Sequence, residues 1–166
     1  MDEARGLVEL IPRLRRYARA LVGDRSNADD LVQDTLERAW AKLHLYRRGT
    51  DLRAWLFTVM HNVHVNRVRS SRATEPLEDG MAELATFAAQ GESLVVRDLD
   101  RCIARLPADQ RAVLLLVTLE EMSYEEVART LGIPIGTVMS RLSRAREKLR
   151  AMMLGQPPAT KLKLVK

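Results

Sequence analysis

The chain has 166 residues, 46% of them hydrophobic but only 4% aromatic, and its 27 Lys and Arg against 22 Asp and Glu give a net charge of +5. That length allows one medium domain or two small ones. No apolar run approaches the ~18 residues of a membrane span and no signal peptide opens the chain, so a cytoplasmic protein without membrane insertion is expected. Cys102 stands alone, which excludes an internal disulfide; beside Ile103 it reads as a small core residue.

Charge is distributed in blocks. Residues 1–72 carry 14 basic and 9 acidic side chains, residues 73–93 carry no basic and 5 acidic ones, and residues 94–155 carry 10 and 8. Two basic lobes with an acidic joint between them suit a chain that touches a polyanion twice. Convincing alternating strands are missing, so the expected class is all-α.

In chain order, Leu7, Leu10, Ile11, Leu14, Ala18, Leu21 and Val22 give helical spacing up to Gly23. Ser26 is the expected cap of a second helix over about 27–44, with Asp29 in its first turn. That helix hides Ala28, Leu31, Val32, Thr35, Leu36, Ala39, Trp40 and Leu43, and its opposite face gathers Asp30, Gln33, Asp34 and Glu37. Such an acidic face is either a solvated surface or a partner surface.

A loop from His44 to Thr50 holds Tyr46, Arg47, Arg48 and Gly49. Asp51 can cap a third helix through about Ser70, which buries Leu56, Val59, Met60 and Val63 and ends in Arg67, Arg69 and Arg72. Trp55 and Phe57 near its start, with Asn62 and Asn66 one turn apart, read either as core aromatics beside polar surface or as a set suited to unpaired bases. His61 and His64 share a face, but no Cys or third His lies near, so no metal site is expected.

Residues 73–93 mix Ser, Pro, Gly, Ala and acids and read as a linker, with transient helix around Met81 to Ala89. The second lobe opens at Leu94, with Leu94, Leu99, Ile103 and Leu106 on one helix. Pro107 starts another that packs Val113, Leu114, Leu116 and Val117. Ser123 and Glu126 then form a capping box, Tyr124, Val127, Ala128 and Leu131 share a face, and Gly132 ends that helix. Pro134 suits the first turn of the next, where Val138, Leu142, Ala145 and Leu149 make one apolar stripe. Ser140, Ser143, Arg144 and Glu147 point the other way, flanked by Arg141, Arg146, Lys148 and Arg150. A short helix, a Gly-containing turn and a basic second helix predict a helix-turn-helix, because base edges are read by hydrogen bonds and phosphates by Lys and Arg. The tail from 155 to 166 is expected to be disordered.

No Gly-rich phosphate loop, nucleophile elbow or metal-spaced cluster appears. No acid stands in apolar surroundings that would tune its pKa. A binding protein is therefore expected, with no enzymatic activity and no cofactor.

Four blocks in order, ADDLVQDTLERAW at 28–40, GTDLRAWLFTVMHN at 49–62, LPADQRAVLLL at 106–116 and SYEEVARTLGIPIGTVMSRLSRAREKL at 123–149, resemble the extracytoplasmic-function group of bacterial sigma factors. The resemblance implies sigma region 2 at 1–72, a linker at 73–93, sigma region 4 at 94–154 and a free tail. It implies an alternative sigma factor that binds core RNA polymerase, through the β′ clamp helices and the β flap, and directs initiation at promoters with −10 and −35 elements.

Asp30, Gln33, Asp34 and Glu37 fall where that family docks on the clamp helices. Tyr46, Arg47 and Arg48 match the loop that captures a flipped −10 base, and Asn62, Asn66 and Arg67 the helix that reads the opened strand. Gly136, Thr137, Ser140, Arg141, Ser143, Arg144 and Arg146 fall on the −35 reader. Met139 and the small Ser143 depart from many relatives, so the family's GGAAC-like −35 element does not carry over residue by residue. With no appended C-terminal domain in the sequence, control by a separate anti-sigma factor in a stress response is the expectation. The competing readings are a free-standing helix-turn-helix regulator and a helical adaptor that binds only proteins.

Overall fold

The computed structural model describes residues 2–74 and 94–155; the expected helix around Met81 to Ala89 and the tail beyond Gly155 lie outside them. Among the described residues there are seven α-helices and no strand: α1 (Asp2–Val22), α2 (Arg25–Ala41), α3 (Leu52–Thr74), α4 (Leu94–Ala104), α5 (Ala108–Thr118), α6 (Tyr124–Leu131) and α7 (Ile135–Met153), with a 3₁₀ turn at Leu43–Leu45.

The first lobe is built from α1 to α3. Leu14 and Ala18 of α1, Ala28, Leu31 and Ala39 of α2, and Leu56, Phe57 and Met60 of α3 are all buried. Tyr17 joins them, its ring meeting Phe57 edge to face at 5.2 Å. Asp24, not Ser26, caps α2: its carboxylate accepts from the Ser26 and Asn27 amides, each at 3.3 Å. The helix begins at Arg25, so Ser26 already lies inside its first turn. Asp51 caps α3 as expected, accepting from the Ala54 amide at 3.2 Å, and α3 continues to Thr74.

The second lobe packs Val113 to Leu116 of α5 against Val127 of α6 and Val138, Leu142 and Ala145 of α7. Leu94, expected on the packed side of α4, is instead 76% exposed. It is the helix's first residue, and the half-buried Ile103 a few turns later makes the contact. Leu106 lies past the end of α4 and is buried. The capping box is complete, with the Glu126 amide donating to Ser123 Oγ at 3.1 Å and the Ser123 amide to Glu126 Oε2 at 2.8 Å. Gly132 ends α6 at φ 65°, where an L side chain is strained. The two lobes touch: α1 packs on α4 and α5, and α3 on α6, so their apolar interiors form one continuous core.

Candidate nucleic-acid and partner interfaces

Asp30, Gln33, Asp34 and Glu37 all stand exposed on α2, with Gln33 Nε2 donating to Glu37 Oε1 at 3.2 Å. Trp40 belongs to this face, contrary to expectation, and is 64% exposed. Seven residues make nearly two full turns, so Trp40 eclipses Gln33 instead of following Ala39 inward. Leu45, 66% exposed, lies just beyond on the 3₁₀ turn. The face is thus acidic with a large apolar edge.

Four of the six expected −10 residues line two openings, Tyr46 and Arg48 the first and Asn66 and Arg67 the second; Arg47 and Asn62 line neither. The first, about 560 Å³, is lined by Glu3, Gly6, Tyr46, Arg48, Gly49 and Leu52. Tyr46 lies 5.3 Å from the half-buried Trp55 ring and donates its hydroxyl to the Thr50 carbonyl. Arg47 is exposed, and Arg48 pairs with Glu3 of α1. The second opening, about 860 Å³, runs between α2 and α3 and includes Asp34, Glu37, Arg38, Lys42, Asn66 and Arg67. Asn66 is exposed there, while Arg67 is half-buried and shares its charge with Asp34 at 3.8 Å; Asn62, one turn before Asn66 on α3, is exposed outside it. Of the early aromatics of α3, Phe57 is core and Trp55 only partly so.

On α7 the buried stripe of Val138, Leu142 and Ala145 leaves Gly136, Ser140, Ser143, Arg144 and Arg146 exposed on the opposite side. Ser140 Oγ donates to the Thr137 carbonyl at 3.1 Å, and the Thr137 amide turns to the Pro134 carbonyl at 3.0 Å. Arg141 is half-buried and paired with Asp109 of α5 at 3.4 Å, so it brings its charge to DNA only by leaving that partner. Among the described residues no group of three His, Cys, Asp or Glu is placed to hold a metal ion, and no helix is long and apolar enough to cross a membrane.

The burial of three titratable groups was invisible in the sequence. Glu120, in the turn between α5 and α6, is fully buried, and burial raises its pKa against the pull of Arg13, Arg16 and Arg53. This corrects the expectation that no acid is tuned by its surroundings. His61 and His64 sit half-buried on α3, and burial lowers both pKa values; Arg141 adds to the effect at His61, and His61 itself, Arg67 and Arg111 add at His64. The folded state therefore binds fewer protons than the unfolded chain below the ordinary histidine value of 6.5, and stability is lost as pH falls through it. Glu120, raised, contributes in the opposite sense at lower pH. Thermal unfolding from pH 7.5 to about 5.5 is expected to show a falling Tm that flattens in the His61→Gln/His64→Gln variant; an equal slope in both proteins refutes the assignment.

Comparison with known proteins gives the family. Residues 7–61 match the family model described as the Sigma2 domain of PhyR, and residues 97–149 match sigma-70 region 4. The chain is 36% identical over 149 residues to the ECF RNA polymerase sigma factor EcfG of Rhodopseudomonas palustris, covering 89% of this chain and 82% of that one. It is 35% identical to the ECF sigma factor SigM of Mycobacterium tuberculosis, covering 86% and 71%. Among solved structures it is similar to the sigma factor RpoE of Bartonella quintana in complex with the anti-sigma factor NepR, with a TM-score of 0.80 and 35% identity over 92% of this chain and 97% of that one. The PhyRSL–NepR complex of Sphingomonas sp. Fr1 gives a TM-score of 0.66 at 26% identity, covering 100% of this chain and 96% of that one.

Proposed function

The chain belongs to the extracytoplasmic-function sigma factors of bacterial RNA polymerase, and from that membership we propose how its exposed faces divide the work of promoter recognition. It is an alternative sigma factor that directs promoter-specific initiation under the control of an anti-sigma factor. It works beside the polymerase, in the cytoplasm.

The acidic face of α2, Asp30, Gln33, Asp34 and Glu37, docks on the clamp helices of the β′ subunit. Trp40 supplies the apolar anchor that charge alone lacks, since charges at a rim steer association while buried aromatics hold it. The second lobe meets the β flap. At the −10 element a flipped base enters the cleft beside Tyr46, with Arg47 and Arg48 on the adjoining phosphates. Flipping costs a few kcal/mol, which stacking and hydrogen bonds in such a cleft offset. Asn62 and Asn66 read the neighbouring unpaired bases. Arg67, freed from Asp34 when the clamp helices take that acid, holds the strand.

Ser140, Ser143 and Arg144 enter the −35 major groove, and Arg141 and Arg146 hold phosphates. The Thr137 hydroxyl and the Gly136 amide add contacts at the helix N-terminus, where the first amides lack partners inside the helix. The observation that carries the reading is the exposed polar row of α7 set opposite its buried stripe, in a chain that matches region 2 and then region 4.

Transcription in vitro with purified core polymerase, on the promoter region of the protein's own gene, tests it. Transcripts from a defined start only when the protein is present are expected. Duplex binding without core, and no initiation, would transfer the chain to the free-standing regulators.

A further inference from the structure

One buried carboxylate sits in the seam between the lobes, beside their shared apolar core. Glu120 is fully buried, yet among the described residues the cations paired with it come from the other lobe: Arg13 Nε of α1 lies 3.1 Å from Oε2, and Arg16 Nη2, one turn on, lies 3.5 Å from Oε1. Arg16 also donates to the Leu119 carbonyl at 3.0 Å, and Arg53 of α3 donates to the Glu120 carbonyl at 2.5 Å. Neither carboxylate oxygen has a well-aligned hydrogen bond, so charge is what holds it.

A carboxylate buried in this way is costly unless its partners stay in place. The second lobe standing alone provides none of these arginines. The backbone is shaped for the insertion as well: the next residue, Glu121, takes φ 51°, a left-handed conformation that non-glycine residues adopt at a cost. Met122 then turns back into the core. A strained turn and an acid whose cations all lie across the seam make sense together as a contact between lobes, and not as part of either lobe's own fold.

We propose that Glu120 is a latch: seated among Arg13, Arg16 and Arg53, it holds the two lobes closed in the free protein, and its withdrawal lets them separate to read two promoter elements at once. The proposal rests on the promoter-recognition reading. Elements centred near −10 and −35 lie about 25 base pairs apart, on the order of 85 Å of B-form DNA at ~3.4 Å per pair. The reader helix α7, with 19 residues, is only about 28 Å long at ~1.5 Å per residue, and in the closed form α6, the partner helix of α7 in the helix-turn-helix, packs directly on α3. The closed molecule cannot occupy both elements. The residues from 75 to 93 would, fully extended, allow a separation of roughly 65 Å, enough for the lobes to part on a shared surface.

The test uses the full-length protein. Small-angle scattering gives its radius of gyration, and transcription at limiting core polymerase gives the concentration for half-maximal initiation. Glu120→Gln removes the charge with little change of shape. Because a buried substitution can fail to fold, Arg13→Gln/Arg16→Gln breaks the same contact from partly exposed side chains, with helicity followed by circular dichroism. Both variants are expected to retain helicity, to expand, and to need about fivefold less protein or better for half-maximal initiation, the scale of a modest coupling between states. An unchanged radius in the folded variants overturns the latch. Expansion without any gain in initiation overturns its role as the opening step. If no protein in the series initiates at all, the sigma reading fails, while the scattering still decides whether Glu120 closes the lobes.

Discussion

Replacing Arg111 with methionine is expected to lower the unfolding free energy by about 3 kcal/mol or more. Its guanidinium donates to four carbonyls: Nε to Ile103 at 3.1 Å, Nη1 to Leu21 at 2.7 Å, and Nη2 to Ala104 at 2.6 Å and Leu106 at 2.7 Å. Those oxygens belong to the ends of α4 and α1 and the loop before α5, places where a helix leaves carbonyls without intrahelical amides. Each charged hydrogen bond contributes about 1.5–3 kcal/mol, and an abandoned buried acceptor costs about 1–3. Methionine recovers part of this, because the burial that lowers the Arg111 pKa also opposes its charge. Lysine should do little better, since one ammonium cannot reproduce a planar fork. Urea unfolding reads the effect as a fall in midpoint at constant slope. A loss below about 1 kcal/mol would mean that water replaces the guanidinium at no great cost.

The second large effect falls on recognition and spares the fold. Arg144 is exposed and carries no ion pair among the described residues, so Arg144→Ala should leave stability within about 0.5 kcal/mol. Discrimination at one −35 base pair should fall by about 1–3 kcal/mol, the usual value of a bidentate base contact. Arg146→Ala should instead weaken all sequences alike and reduce the salt slope by about one. Affinities of polymerase carrying each variant, measured on templates substituted through the −35 element at two salt concentrations, separate the two roles. A uniform loss for Arg144→Ala would move that residue to the phosphates.

What could be read before the structure was whatever short-range spacing determines. The Ser123–Glu126 box, the stop at Gly132 and the buried stripe of Val138, Leu142 and Ala145 are properties of neighbours one to four residues apart, and each appears where periodicity puts it. The exposed face of α7 followed as the complement of that stripe. Trp40 was misplaced because apolar character was read as burial; its position two turns from Gln33 was the better guide. Glu120 had no local sign. It stands among several acids between α5 and α6, and its burial is created by Arg13 and Arg16, more than a hundred positions earlier. The exposed polar faces of α2 and α7 were legible as surfaces, whereas the seam between the lobes depended on tertiary contact.

The closed seam also bears on apparent affinity. A protein whose binding-competent form is a small fraction of the total has its apparent affinity weakened by that fraction: about a hundredfold if one molecule in a hundred is open. Removing one partner of a buried charge cluster leaves the other charges uncompensated, so a substitution at Arg13, Arg16 or Glu120 raises the open fraction. If Glu120 acts as that latch, the seam sets the concentration at which this factor begins to engage its partners, independently of how well its exposed surfaces fit them.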